Sequence, residues 1–151
     1  MIKVEKLKKN YGEKKALKGI NFEVKKKDIF GFLGPNGAGK TTTIKILTGQ
    51  ILPSFGQASV LGEDASTETD RIYPEIGVVP EKTNLYERLT VKQNLKFFAR
   101  LYQSDQNNID YYLKRVGLNH EKQTPVEDLS KGMKQKVLLV RALLHDPEIL
   151  F

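Results

Sequence analysis

The 151-residue sequence contains no cysteine, no long apolar run and no signal-peptide core. Without cysteine the chain can form neither disulfides nor thiolate metal sites, and a cytosolic compartment is favoured. No apolar stretch approaches the ~20 residues that span a bilayer, and residues 1–5 lack the start of a secretory signal. Repeats, low-complexity tracts and interdomain linkers are also absent. This leaves one domain, or part of a larger one.

Positive charge is concentrated at one end of the chain. The net charge is +7, and the first 30 residues hold ten lysines against four acidic residues. Such a basic stripe can bind nucleic acid or an anionic membrane surface. The lysine run at residues 25–27 lies between two apolar segments, however, and no aromatic residue is interleaved with it. We therefore favour solvated turns and strand faces, and we expect no nucleic-acid partner.

Residues 34–41 match the phosphate-binding P-loop, in which a glycine and any four residues precede Gly-Lys-Ser/Thr. The glycines let successive backbone N–H groups point at phosphate oxygens, and the helix that begins here adds the positive end of its dipole. Lys40 supplies a charge for the outer phosphates, and the Thr41 hydroxyl is placed to hold Mg²⁺. The pattern predicts nucleotide binding by Gly34, Pro35, Asn36, Gly37, Ala38, Gly39, Lys40, Thr41 and Thr42.

Apolar periodicity predicts the elements around this loop. Thr90 and Gln93 have the spacing of a capping box, and Ser130 has the position of an N-cap, so helices are expected after both. Further helices are predicted at residues 42–48, which Gly49 ends, and around Ile109 and Leu113. Strands are predicted at residues 2–4, 20–24, 29–33, 58–62 and 76–79, and another begins at residue 149.

The stretch at residues 129–133, which reads Leu-Ser-Lys-Gly-Met, narrows the choice among P-loop proteins. A helical pattern, an Arg-Ala-Leu step, Pro147 and an apolar strand follow it. Together with the P-loop, this order resembles the signature region of ABC transporter nucleotide-binding domains, whose pattern is Leu-Ser-Gly-Gly-Gln. Ser130 and Gly132 match that pattern, whereas Lys131 and Met133 depart from it. Within the family the chain looks most like the ATPase subunits of ABC-2-type exporters.

The resemblance implies an α/β P-loop NTPase fold with an N-terminal antiparallel β subdomain and a helical subdomain. The expected parts are residues 1–82 for the β subdomain and P-loop core, 83–128 for the helical subdomain, and 129–151 for the signature helix and the start of the Walker B strand. It also implies a subunit that couples ATP binding and hydrolysis to transport through separate membrane subunits. Such a subunit works at the cytoplasmic face of the cell membrane.

The resemblance further implies roles for single residues. Tyr11 matches the aromatic that stacks on adenine, and Glu81 stands where the family has a Gln that senses Mg²⁺, so Thr41 and Glu81 are the expected Mg²⁺ ligands. A strand-end tyrosine and an exposed loop glutamate are the simpler alternatives for Tyr11 and Glu81. The signature residues would bind the γ-phosphate held by a second copy, which implies a nucleotide-dependent homodimer or heterodimer. These residues are Ser130, Lys131, Gly132 and Met133.

Residues 83–128 are expected to meet the membrane subunits. Most of the aromatic and apolar side chains of this segment are expected in the core and the rest at that contact; they are Leu85, Tyr86, Leu89, Phe97, Phe98, Tyr102, Tyr111 and Tyr112. By the resemblance, the sequence stops before the Walker B aspartate and the catalytic glutamate, and neither His120 nor His145 fits the family's switch histidine. We therefore expect the N-terminal part of an ATPase domain that binds ATP but hydrolyses it poorly, with residues 145–151 disordered, mispaired or covered. Two alternatives stay open: a non-hydrolysing nucleotide-binding module that acts by dimerisation, and a soluble ABC-type regulator.

Overall fold

The computed structural model describes residues 1–151, which form six strands and five α-helices. The chain divides into two units, Met1–Tyr73 and Pro74–Phe151. The strands are β1 (Ile2–Tyr11), β2 (Lys14–Val24), β3 (Phe55–Val60), β4 (Glu63–Asp64), β5 (Ile76–Gly77) and β6 (Ile149–Leu150). The helices are α1 (Lys40–Leu47), α2 (Thr69–Ile72), α3 (Val91–Leu101), α4 (Asn107–Arg115) and α5 (Lys131–Leu143).

The first unit is built on an antiparallel sheet with the strand order β2-β1-β3-β4. In β1, Ile2, Val4 and Leu7 are buried, and the residues between them are exposed. Ile2 and Val4 follow the two-residue period of a strand, and an irregularity in the pairing between Val4 and Leu7 moves the next buried position to Leu7. One face of the sheet therefore lies on the core, where Ile46 and Leu47 of α1 are also buried. The predicted antiparallel β subdomain is therefore confirmed.

The strand predicted at residues 29–33 is wrong. No strand forms there, and the side chains of Ile29 and Leu33 are fully exposed, at 104% and 97%. Phe30 and Phe32 pack with Phe22 of β2 instead, with ring centroids 5.2 Å apart for each pair. An apolar run becomes a strand only where a neighbouring strand supplies backbone partners, and periodicity alone does not reveal whether such a neighbour exists.

The second unit packs three helices around one apolar core. Leu95 of α3, Leu113 of α4 and Leu138 of α5 are completely buried in it. The helix α3 begins as predicted, because the Gln93 N–H donates to Thr90 Oγ1 at 3.1 Å and the Thr90 N–H donates to Gln93 Oε1 at 2.8 Å. None of the helices combines the length and the apolar character needed to cross a bilayer.

The end of the chain is ordered by β5. Ile149 and Leu150 pair in parallel with Ile76 and Gly77. The Phe151 N–H donates to the Gly77 carbonyl at 2.8 Å, and the Phe151 carbonyl accepts from Val79 at 2.8 Å. The expectation of disorder at residues 145–151 is therefore wrong, because β5 supplies the backbone partners.

The predicted division into three parts, with boundaries after residues 82 and 128, stays a prediction. The structure itself divides into two units after Tyr73.

Candidate nucleotide-binding site

The P-loop turns through backbone conformations that favour glycine. Gly34, Gly37 and Gly39 have φ angles of 151°, 84° and 91°. The Ala38 N–H donates to the Pro35 carbonyl at 3.2 Å, which closes a turn inside the loop. A side chain at these positive φ angles would be strained. The glycine spacing read from the sequence therefore has a direct conformational cause.

Gly39 also brings the loop into close contact with the sheet. A Cβ atom added there would lie 2.4 Å from Leu17 Cδ2 and 2.9 Å from the Ala16 carbonyl oxygen. Both distances are too short for a real side chain, so only glycine permits this approach. The contact holds the start of α1 against β2.

The N-terminus of α1 offers backbone donors. The first N–H groups of an α-helix have no intrahelical acceptor. The N-cap of α1 is Gly39, which makes no side-chain cap, and no acidic residue lies in the first turn. The residues on both sides of the helix start, Gly34–Ala38 and Thr41, are exposed. Free donors and the positive end of the helix dipole together favour a bound anion here.

Lys40 folds back over the loop. Its Nζ donates to the Gly34 carbonyl at 2.5 Å and to the Pro35 carbonyl at 2.9 Å. Thr43 is buried and its hydroxyl donates to the Gly39 carbonyl at 2.9 Å, whereas Thr41 is exposed. An ammonium group, backbone N–H donors and an exposed hydroxyl are the groups that a triphosphate with Mg²⁺ requires. The residues present therefore fit Mg²⁺-ATP.

Tyr11 lies at the C-terminal end of β1, and its side chain is 49% exposed. In the β1–β2 hairpin Tyr11 pairs with Lys14, and Lys9 pairs with Leu17, the residue that touches Gly39. One hairpin thus carries Tyr11 and supports the P-loop. The structure brings the predicted stacking residue and the phosphate-binding residues into the same unit.

Ser130 caps α5 as predicted, since its Oγ accepts a hydrogen bond from the Met133 N–H at 3.2 Å. Ser130, Lys131 and Gly132 are exposed, and Met133 is half-buried against the helical core. The cap by itself accounts for a serine at this position. The predicted contact with a nucleotide on a second copy stays a prediction.

Glu81 lies in an exposed loop that follows β5. Nowhere in the chain do three or more His, Cys, Asp or Glu side chains come together in an arrangement that could hold a metal ion. The roles of Thr41 and Glu81 as Mg²⁺ ligands therefore stay predictions.

The eight apolar residues considered for a membrane-subunit contact are more exposed than expected, since most of them were expected in the core and five lie at the surface. Leu85 is buried, at 8% exposure, and belongs to the helical core. Phe98 and Tyr112 are half-buried, and the Arg141 guanidinium lies 4.6 Å from the Phe98 ring centroid. The remaining members are exposed, namely Tyr86, Leu89, Phe97, Tyr102 and Tyr111.

Lys9 was not predicted as a site residue, yet its Nζ lies 5.3 Å from the centroid of the Tyr11 ring. Residues two apart on a strand point to the same face. The strand was predicted only at residues 2–4, so the shared face of Lys9 and Tyr11 follows from the observed extension of β1 to Tyr11.

A family model described as "ABC transporter" matches residues 17–151, which include the P-loop and the residues of the signature stretch. The chain belongs to the ABC transporter family. It is 44% identical to the bacitracin transport ATP-binding protein BcrA of Bacillus licheniformis, over 99% of this chain and 49% of that protein. It is 38% identical to the linearmycin resistance ATP-binding protein LnrL of Bacillus subtilis, over 99% of this chain and 50% of that protein. The chain thus spans about half the length of these curated relatives.

Solved structures agree with this assignment. An ATP binding subunit of an ABC transporter matches with a TM-score of 0.85 and 29% identity, over 99% of this chain and 64% of that one. The cbiO1 protein of Clostridium perfringens, part of the ABC transporter complex cbiONQ, matches with a TM-score of 0.85 and 31% identity, over 99% and 63%. The predicted α/β P-loop fold is therefore confirmed.

Proposed function

We propose that this chain is the ATP-binding part of an ABC transporter subunit, which couples ATP binding and hydrolysis to transport through separate membrane subunits. The observation that carries the proposal is the P-loop, where an uncapped helix start, Lys40 and the exposed Thr41 converge. Family membership and the names of the relatives support it.

Lys40 has the capacity to bind a phosphate without leaving the loop. A lysine ammonium group has three donors, and two of them are used by the Gly34 and Pro35 carbonyls. The third donor is left for a phosphate oxygen, while the two carbonyl bonds keep the charge at the loop. The N–H groups at the start of α1 bind further oxygens, and the Tyr11 ring stacks on the base. Mg²⁺, when bound with the nucleotide, neutralises phosphate charge, with Thr41 and Glu81 as its proposed protein ligands.

The signature residues bind the nucleotide of a second copy in this proposal. Ser130 Oγ accepts the capping bond, so its own O–H proton is left to donate to a phosphate oxygen. Lys131, which replaces a glycine of the family pattern, adds an exposed positive charge that attracts the same anion. ATP binding then favours a homodimer or heterodimer of such subunits. The membrane subunits hold the dimer at the cytoplasmic face of the membrane.

Binding and turnover of ATP by the full-length protein test the proposal. Purified protein should bind Mg²⁺-ATP and release phosphate, and Lys40→Ala should abolish phosphate release and remove most of the binding. Binding without turnover would support the non-hydrolysing nucleotide-binding module instead. If the unaltered protein and Lys40→Ala bind ATP equally well, the P-loop is not the nucleotide site.

A further inference from the structure

Lys9 lies beside Tyr11 at the end of β1, and its ammonium group is held at two places. Its Nζ lies 5.3 Å from the Tyr11 ring centroid, within the range of a cation–π contact. The same Nζ donates a hydrogen bond to the Leu52 carbonyl at 2.7 Å. Lys9 is half-buried, unlike most lysines of this hairpin. Its charge is therefore fixed against the ring.

The segment that follows α1 also anchors the end of β1 through backbone atoms. The Ser54 N–H donates to the Lys8 carbonyl at 2.8 Å. The Asn10 N–H donates to Ser54 Oγ at 3.0 Å. With the bond from Lys9 to Leu52, three hydrogen bonds join the strand end that carries Tyr11 to the residues after the phosphate-binding helix. This end of the strand is thus tied to the P-loop helix along the chain.

We propose that Lys9 is a positioning residue for the nucleotide base, a role that rests on the ATP binding proposed above. The ammonium group contacts one face of the Tyr11 ring, and the ring is half exposed. In the proposed role the flat aromatic base stacks on the opposite face. A side chain that is already held loses less conformational entropy when a ligand stacks on it. Lys9 therefore raises the affinity for the adenine ring and not for the phosphates.

Lys8 provides a matched control within the same strand. Its Nζ lies 5.3 Å from the centroid of the Phe55 ring, the same kind of contact at the same distance. Neighbouring residues of a strand point to opposite faces, so Lys8 does not share the face of Lys9 and Tyr11. Removing either lysine changes the charge of the hairpin equally. A general electrostatic effect on an anionic ligand would thus appear in both variants.

The test compares ATP with inorganic tripolyphosphate, which carries the phosphates without the base. Calorimetric titrations in the presence of Mg²⁺ use the full-length protein and its Lys9→Met, Lys9→Arg, Lys8→Met and Tyr11→Ala variants. Lys9→Met should weaken ATP binding about threefold to fivefold, as expected for a partly exposed cation–π contact, and leave tripolyphosphate binding unchanged. Lys9→Arg should restore ATP binding, and Lys8→Met should bind both ligands as the unaltered protein does.

Two results would overturn the role of Lys9 alone, and a third would overturn base stacking together with it. In one, Lys9→Met binds ATP as tightly as the unaltered protein while Tyr11→Ala binds ATP more weakly. Base stacking on Tyr11 would then stand, without a role for Lys9. The other is an equal loss of ATP and tripolyphosphate binding in both lysine variants, which would show an effect of net charge. If Tyr11→Ala binds ATP normally, base stacking itself is wrong and the role of Lys9 fails with it.

Discussion

Leu17 of β2 lies so close to Gly39 of the P-loop that a Cβ atom at Gly39 would come within 2.4 Å of Leu17 Cδ2. Gly39 also has a φ of 91°, which strains any side chain. Gly39→Ala should therefore lower the free energy of unfolding by about 2–4 kcal/mol, from the strained φ and the overpacking together. It should weaken ATP binding as well. Denaturant unfolding and ATP titration measure both effects.

Gly37→Ala is the control for that prediction. Gly37 has a φ of 84°, but a Cβ atom there would meet nothing within 4 Å. Its loss of stability should be limited to the strain of about 1–2 kcal/mol. Equal losses in the two variants would show that the contact with Leu17 is not tight.

Lys40→Ala should remove most of the stabilisation that ATP confers. ATP at about 100 times its dissociation constant stabilises a protein by ~2.7 kcal/mol, a rise in melting temperature of roughly 5–10 °C for a domain of this size. The variant loses the charge that lies at the loop. Thermal unfolding with and without Mg²⁺-ATP measures the shift. Lys45→Ala removes an exposed lysine from the same helix and should keep the full shift.

Ser130→Arg should separate ATP binding from dimerisation. Ser130 is expected to meet the nucleotide of the other copy, so the variant should bind ATP as a monomer and fail to dimerise when ATP is added. Loss of the cap on α5 should also cost about 1 kcal/mol of stability. Light scattering with and without ATP gives the oligomeric state.

Ser130→Asp is the companion variant, because aspartate also caps helices but repels a phosphate. It should keep the stability and still fail to dimerise with ATP. An ATP-dependent dimer in both variants would contradict the role of Ser130 between copies.

Asp110 of α4 should make the stability of the second unit depend on pH. A hydrogen bond from Lys122 at 3.0 Å, together with the charge of Lys92 at 3.7 Å, lowers the pKa of its carboxyl group. A lowered folded-state pKa means that the stabilisation is present above the ordinary carboxyl range, near pH 4, and is lost as the pH falls below it. Since Asp110 is half exposed, solvent screening limits the effect to about 0.3–1 kcal/mol.

Asp110→Asn should therefore be less stable than the unaltered protein at pH 6 and nearly equal to it at pH 2.5. Urea unfolding at the two pH values gives the difference. Glu87→Gln neutralises an exposed carboxylate of the same unit. Its stability difference from the unaltered protein should be the same at the two pH values. A stability difference for Asp110→Asn that does not change with pH would remove the ion pair as its cause.

Structural features that depend on contacts between near neighbours in the chain were predicted correctly. The P-loop spacing, the Thr90 capping box and the Ser130 cap all involve contacts within a few residues of the chain. In each case the side chain and the backbone atoms that it serves lie in one short segment. Spacing in the sequence therefore determines the contact.

The strand expected at residues 29–33 failed for the opposite reason. Its apolar pattern describes a strand that has neighbours, and no neighbouring strand pairs with it in this structure. The pairing of residues 149–150 with β5, by contrast, exists because a partner is present. Pairing depends on residues far apart in the chain, which a local pattern does not specify.

The sequence by itself determined the family, the glycine-rich turn of the P-loop and the capped helix starts, because these depend on residue types at fixed short spacings. Only the tertiary structure decided that Gly39 packs on Leu17 and that Lys9 is held between Tyr11 and the Leu52 carbonyl. Lys9 and Leu52 are 43 residues apart. Their contact forms because β1 and the segment after α1 fold onto each other, and the free energy for that comes from burying the apolar face of the whole sheet.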